Sequence, residues 1–199
     1  MTTVIVGRLK PAALLCRARE IRSVYTAAFA QPPWNEPAAK ADDFLVRLLH
    51  DARRPGFTAA VAQGVDGRVV GLATAWTTPD PFPADRCYPY ASGQLGPDRT
   101  RAWLCGAREI DELAVHPDHT GQGLGAALLE AVSADVPGDR CWLLTAAAAG
   151  GPLDFYQRLG WHQATRPAPH PDGLVVLLGP RHPAASEVRH ALPLPAPIR

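Results

Sequence analysis

Glu109-Ile-Asp-Glu-Leu-Ala-Val115-His-Pro-Asp-His-Thr-Gly121-Gln-Gly123-Leu-Gly125-Ala-Ala-Leu-Leu-Glu-Ala-Val132 changes its period halfway along. The first seven residues carry β-branched and apolar side chains with no breaker, and Pro117 then stops them, which predicts a strand. From Leu124 the apolar residues Leu124, Leu128, Ala131 and Val132 repeat at helical spacing until Pro137-Gly138. Between strand and helix lies Thr120-Gly-Gln-Gly-Leu-Gly125. Glycines at alternate positions let the backbone form a concave loop whose N–H groups converge at the positive end of a helix. Such a loop binds anions, phosphate above all.

Two specific phosphate motifs fit poorly. A nucleoside triphosphate loop needs Lys-Ser/Thr after its last glycine, and Ala126-Ala127 stands there. Gly121-x-Gly123-x-x-Ala126 satisfies the dinucleotide pattern, but that pattern also wants an acid at the end of the next strand. That strand ends Leu144-Thr145-Ala146, and the His116-Pro-Asp-His119 spacer is long for a dinucleotide turn.

Leu113-Ala-Val-His-Pro117 followed by Gly123-Leu-Gly125 instead resembles the acyl-CoA loop of the GNAT superfamily of acetyltransferases. Thr120 departs from it, standing where the family usually has Gln or Arg. A second segment, Pro152-Leu-Asp-Phe-Tyr-Gln-Arg-Leu-Gly-Trp161, resembles the family's Phe/Leu-Tyr-x-x-x-Gly-Phe, and Ala149 lies where many members carry an Asn. The resemblance runs over roughly residues 3 to 179 and is specific only at 109–129 and 152–161. It implies an α/β (α+β) fold, with a central, mixed but mostly antiparallel twisted sheet of six or seven strands flanked by about four helices. It also implies acetyl-CoA as co-substrate, held by Leu113, Ala114 and Val115 of the strand and by Thr120, Gly121, Gln122, Gly123, Leu124, Gly125 and Ala126 of the loop.

The rest of the chain suits that expectation. A short strand over Val4-Ile-Val6 precedes an amphipathic helix from Pro11 to about Phe29, which Gln31-Pro-Pro-Trp-Asn-Glu-Pro37 breaks. A second helix carries Phe44, Leu45, Leu48, Leu49 and Ala52 on one face, and Phe57–Ala62 and Arg68–Thr77 form a hairpin around Asp66-Gly67. Five prolines between 78 and 106 exclude a long element there, leaving a loop in which Phe82, Tyr88, Tyr90 and Trp103 could close over an acceptor. Cys141–Thr145 reads as a buried strand, Pro152 opens a short helix that Gly160 closes, and Trp161–Thr165 and Gly173–Leu178 are the last strands. Residues 1–180 are thus expected to form a single domain, with an extended tail over 181–199.

Composition narrows the partners. With 18 Arg, 2 Lys and a net charge of +1, nothing is basic enough to track nucleic acid or an anionic membrane. The four cysteines form no C-x-x-C pair, so neither zinc nor a disulfide frame is expected, and a cytoplasmic location is the default. His116 and His119 flank a Pro-containing turn and are expected to be solvated, not a metal pair. The expected partner is a small-molecule amine, with a homodimer left open.

Acetyl transfer to an amine needs a base, an oxyanion donor and an acid for the departing thiolate. An amine with pKa about 10.4 is protonated at neutral pH, so a nearby carboxylate must take its proton. Glu109, Asp111 and Glu112 are available. Strict alternation puts Asp111 on one face with Leu113 and Val115, and Glu112 on the other with Ile110 and Ala114. An acid on an apolar face has a raised pKa, which suits a base, so Asp111 is the expected base and Glu112 the substrate anchor. A bulge here would exchange the faces of Asp111 and Glu112. The resemblance implies an oxyanion N–H from the strand at Leu113–Val115 and Tyr156 as the acid. A GNAT-like module that binds acyl-CoA without turnover is the competing reading.

Overall fold

The computed structural model describes residues 4–147, 151–167 and 173–191, and Ala149 falls outside them. The chain divides into two compact units. The first takes residues 1–77 and 108–135, the second 78–107 and 136–199.

In the first unit the hydrogen-bonded order is β1 (Ile5–Leu9), β2 (Thr58–Gln63), β3 (Val69–Thr77) and β4 (Arg108–Val115), each pair antiparallel. The long N-terminal helix expected from the periodicity is two, α1 (Pro11–Leu15) and α2 (Ala18–Phe29), with a turn at Cys16-Arg17. Helix α3 (Ala39–Asp51) follows. Sheet alternation divides β3 cleanly. Leu72 faces α2 and α3, in one core with Ile21, Val24, Tyr25, Phe44, Leu48, Val61 and Ala114. Gly71 faces α6 (Leu124–Ser133) so closely that a Cβ there would stand 2.9 Å from Leu128 Cδ1. A glycine is what lets this helix lie against the sheet.

The second unit contains β5 (Cys141–Ala146), β7 (Leu174–Leu178) and β6 (His162–Gln163), in the order β5-β7-β6 and antiparallel, with α7 at Pro152–Arg158. Residues 78–106, expected to be an irregular flap, hold α4 (Tyr88–Leu95), α5 (Pro97–Arg99) and a π-helical turn over Thr100–Leu104. The flap reading changes accordingly. Tyr88 and Trp103 are buried with Trp142, Val176 and Leu178, and Phe82 packs against them, so these rings build a core. Of the four aromatic residues singled out there, Tyr90 is the exposed one. The expected extended tail meets a helix instead, α8 (Ala185–Ala191), whose Val188 joins that core.

Candidate active site

Strand β4 pairs residue by residue with β3 from Val115, opposite Gly71, up to Glu112, opposite Thr74. The next pair is Ala75 with Ile110, so the register skips Asp111, which forms a β-bulge. The bulge corrects the simple alternation. Glu112 keeps the side of Ala114, facing α2 and α3, but Ile110 moves to the opposite side and Glu109 takes its place beside Glu112. The bulged residue is the one expected to be the base.

The three acids now have distinct surroundings. Glu109 is buried and accepts a hydrogen bond from Trp76 Nε1 at 3.1 Å, while the Arg54 guanidinium lies 4.7 Å over the Trp76 ring and pairs with Asp51. Glu112, largely buried, pairs with Arg47 on α3, Nη2 to Oε1 at 3.0 Å. Arg47 in turn sits over Phe44, whose ring stacks on Tyr25 at 4.5 Å. Tyr25 donates its hydroxyl proton to Glu36 Oε2 at 2.9 Å. Burial, and then the charges of Glu112 and Glu36, push the Tyr25 phenol far above its ordinary range, so it remains a neutral donor. Although burial works against it, the charge of Glu112, a hydrogen bond with Tyr25 and the charge of Asp111 hold Arg47 above its ordinary value. Sequence reasoning missed Arg47, Tyr25 and Glu36. Tyr25 and Arg47 lie among the buried stripes of α2 and α3, which was their only signal, while Glu36 lies in the connection between those helices and carried none.

The strand leads directly into the glycine loop. His116 N–H closes the ladder on Val70 O at 2.8 Å, and Pro117–His119 form one 3-10 turn. Thr120 Oγ1 donates to Pro117 O at 2.8 Å, fastening that turn. Its hydroxyl proton is therefore committed inside the chain. Gly121 and Gly123 have φ of +73° and +76°, and a Cβ built on either meets nothing within 4 Å. The first bond of α6 runs from Ala127 N–H to Gly123 O at 3.1 Å. The N–H groups of Leu124, Gly125 and Ala126 thus precede the helix's own ladder and face the loop, where an anion can take them. This cradle fits the pyrophosphate of a CoA thioester.

His116 Nδ1 accepts from Asp118 N–H at 3.3 Å, and its ring lies 6.1 Å from that of His119. Among the described residues no group of three or more His, Cys, Asp or Glu is arranged to hold a metal ion. Tyr156 belongs to the second unit, on α7, where its ring packs against Phe155 at 5.1 Å and Trp161 at 6.0 Å. The structure therefore brings Asp111, Glu112 and the Leu113–Ala126 segment together in the first unit, and sets Tyr156 in the second. Among the described residues no helix is long and apolar enough to cross a membrane.

Residues 57–163, more than half of the chain, match the model of the acetyltransferase (GNAT) domain family. The chain belongs to the GNAT superfamily. It is an acetyltransferase by family, and its α/β architecture is that fold. Among solved structures it is similar to a GNAT-family acetyltransferase from Desulfovibrio desulfuricans, with 21% identity and TM-score 0.57 over 88% of this chain and 96% of that one. It is also similar to the PaiA N-acetyltransferase of Thermoplasma acidophilum in complex with coenzyme A, at 12% identity and TM-score 0.52 over 89% and 98% of the two chains. The ribosomal-protein-S18-alanine N-acetyltransferase of Escherichia coli gives 19% identity and TM-score 0.53 over 90% and 94%. At these identities the likeness is one of fold. No curated protein matches the chain by sequence.

Proposed function

We propose that this GNAT chain is an acetyl-CoA-dependent N-acetyltransferase that moves an acetyl group to a primary amine of a small molecule by direct attack. The observation that carries the reading is the bulge at Asp111, beside a Glu112 already paired with Arg47. A bulge re-aims a side chain at the place where pairing fails, and such features concentrate at active sites. Glu112 is engaged by the Arg47 guanidinium and the bulge sets Asp111 apart from the ladder beside it, so the base role is assigned to Asp111. Glu112 and Asp111 together favour an ammonium on arrival, and Asp111 then takes its proton, directly or through water, before the nitrogen attacks.

Acetyl-CoA supplies the activated thioester when bound. The chain's part is to hold the pyrophosphate on the N–H groups from Gly121 to Ala126, and the pantetheine along Leu113, Ala114 and Val115, where a backbone N–H meets the developing oxyanion. Tyr156 is the proposed proton donor to the leaving sulfur. Its ring packs against Phe155 and Trp161, which restrains where its hydroxyl lies. A bulged acid and a Tyr at the family's motif position favour an enzyme over an acyl-CoA-binding sensor, which requires neither.

The test is thiol release from acetyl-CoA over a panel of primary amines, with peptides and nucleic acid as contrasts. Release with small amines, and none with the contrasts, is the expected result. CoA binding without thiol release on any acceptor would favour the sensor.

A further inference from the structure

The helix-facing side of the β4 bulge carries polar atoms that the chain does not satisfy. Thr74 is fully buried and its Oγ1 has no hydrogen-bond partner. Arg47 Nε is buried and also has none. Both border one carboxylate. Thr74 is the ladder partner of Glu112, which places their Cβ atoms about 5 Å apart, and Arg47 holds that same Glu112 through Nη2 at 3.0 Å. Native chains leave few buried donors or hydroxyls unpaired, and one that persists calls for an explanation, a group bound from outside being one.

The chemistry of the two atoms limits what that is. Nε of a guanidinium only donates, so it needs an oxygen or another acceptor, while a threonine hydroxyl can donate or accept. One hydroxyl group has the chemistry for both, accepting from Arg47 and exchanging a hydrogen bond with Thr74. A carboxylate would satisfy Arg47 too, but Glu112 and Asp111 both act on that guanidinium, and Glu36 lies on the adjoining Tyr25. A further anion would meet several acids around one cation.

Resting on the acetyltransferase reading, we propose that Arg47 and Thr74 are specificity-determining residues. They select a primary amine with a hydroxyl on the neighbouring carbon, the amino-alcohol and amino-sugar class, over plain alkylamines. The ammonium goes to Asp111 and Glu112, and the hydroxyl goes to Thr74 and Arg47. A site built to bond a hydroxyl discriminates strongly against the analogue that lacks it, because the analogue leaves buried polar groups unpaired.

The experiment compares 2-aminoethanol with the isosteric propylamine. Their binding to the CoA-saturated protein is measured by calorimetry and their acetylation by kcat/KM, in the parent, Thr74→Val and Arg47→Lys. The parent should bind 2-aminoethanol about tenfold or more tightly over propylamine, and the ratio should fall toward one in both variants. The two amines differ in basicity, but that difference cancels when the ratio is compared between proteins. Melting curves identify any variant that fails to fold, and the other then carries the comparison. Equal binding in the parent, or a ratio that survives both substitutions, overturns the proposal. A binding preference with no thiol released keeps the hydroxyl subsite and removes the transferase reading; acetylation of both amines at equal kcat/KM does the reverse.

Discussion

Three acids within four residues have three different uses, and what separates them is the neighbour each meets. Glu109 takes an indole N–H, Glu112 takes a guanidinium, and Asp111 falls where the ladder skips. Asp111→Asn should lower kcat/KM about 10²- to 10⁴-fold at pH 7, the usual worth of a positioned base. Part of the loss should return above the amine's own pKa, where the nitrogen deprotonates unaided, and a pH–rate profile that is unchanged from the parent would remove Asp111 from the chemistry. Glu112→Gln should act differently, since it strands a half-buried Arg47. It should raise the KM for the amine and lower the melting temperature while CoA affinity stays constant, as calorimetry would report. Tyr156→Phe keeps the ring against Phe155 and Trp161, so kcat should fall with little change in KM. Equal turnover would return Tyr156 to a packing role. The acids were legible in the sequence because charges in a strand pattern stand out. The bulge was not, because it depends on how β3 pairs, and Arg47 lies 65 residues from its partner.

Element by element, the periodic segments were the readable ones. The β-α-α-β-β opening, with its first helix broken into α1 and α2, the strand and helix of the glycine stretch and the Cys141 strand all appear within a few residues of where periodicity puts them. The misreading came from proline. Pro89 and Pro97 read as breakers in the sequence, yet each stands in the first turn of a helix, where a missing N–H costs nothing. The glycine loop was legible for the opposite reason, since positive φ at Gly121 and Gly123 is a demand few other residues meet. Gly123→Val tests the element as a whole. The substituted side chain enters open space, so no clash with the protein arises, but it stands at the mouth of the proposed pyrophosphate cradle. The backbone strain there costs of order 1–3 kcal/mol, within what a domain of this size tolerates. CoA affinity should fall by about tenfold or more, which is about 1.4 kcal/mol, while circular dichroism shows the fold retained. Unchanged affinity would mean that CoA is held elsewhere.

At the scale of the whole chain, each unit has a core formed from interleaved pieces of sequence, and the second unit carries a buried pH-sensitive group. His182 is buried beside the start of α8. Its Nε2 lies 3.1 Å from the Trp103 carbonyl, so Nε2 carries the proton, and Nδ1 accepts from Ala184 N–H at 3.1 Å. A second proton on Nδ1 would face that N–H donor. Burial accordingly lowers the imidazole below its ordinary value of 6.5. The sign follows from linkage. Between the ordinary value and the lowered one the unfolded chain binds more protons than the folded chain, so stability rises with pH across that window. Above pH 6.5 the contribution is fully present, and it is lost as the pH falls through the folded value. Urea unfolding of the parent should therefore show stability declining from about pH 6.5 downward, beyond what the carboxylates alone produce at lower pH. His182→Gln preserves an N–H for Trp103 and removes the titration, so its stability should be lower at pH 8 and flatter between pH 7 and pH 5. Parallel pH curves for the two proteins would show that His182 titrates as freely in the fold as outside it, and that its bonds to Trp103 and Ala184 do not fix its charge.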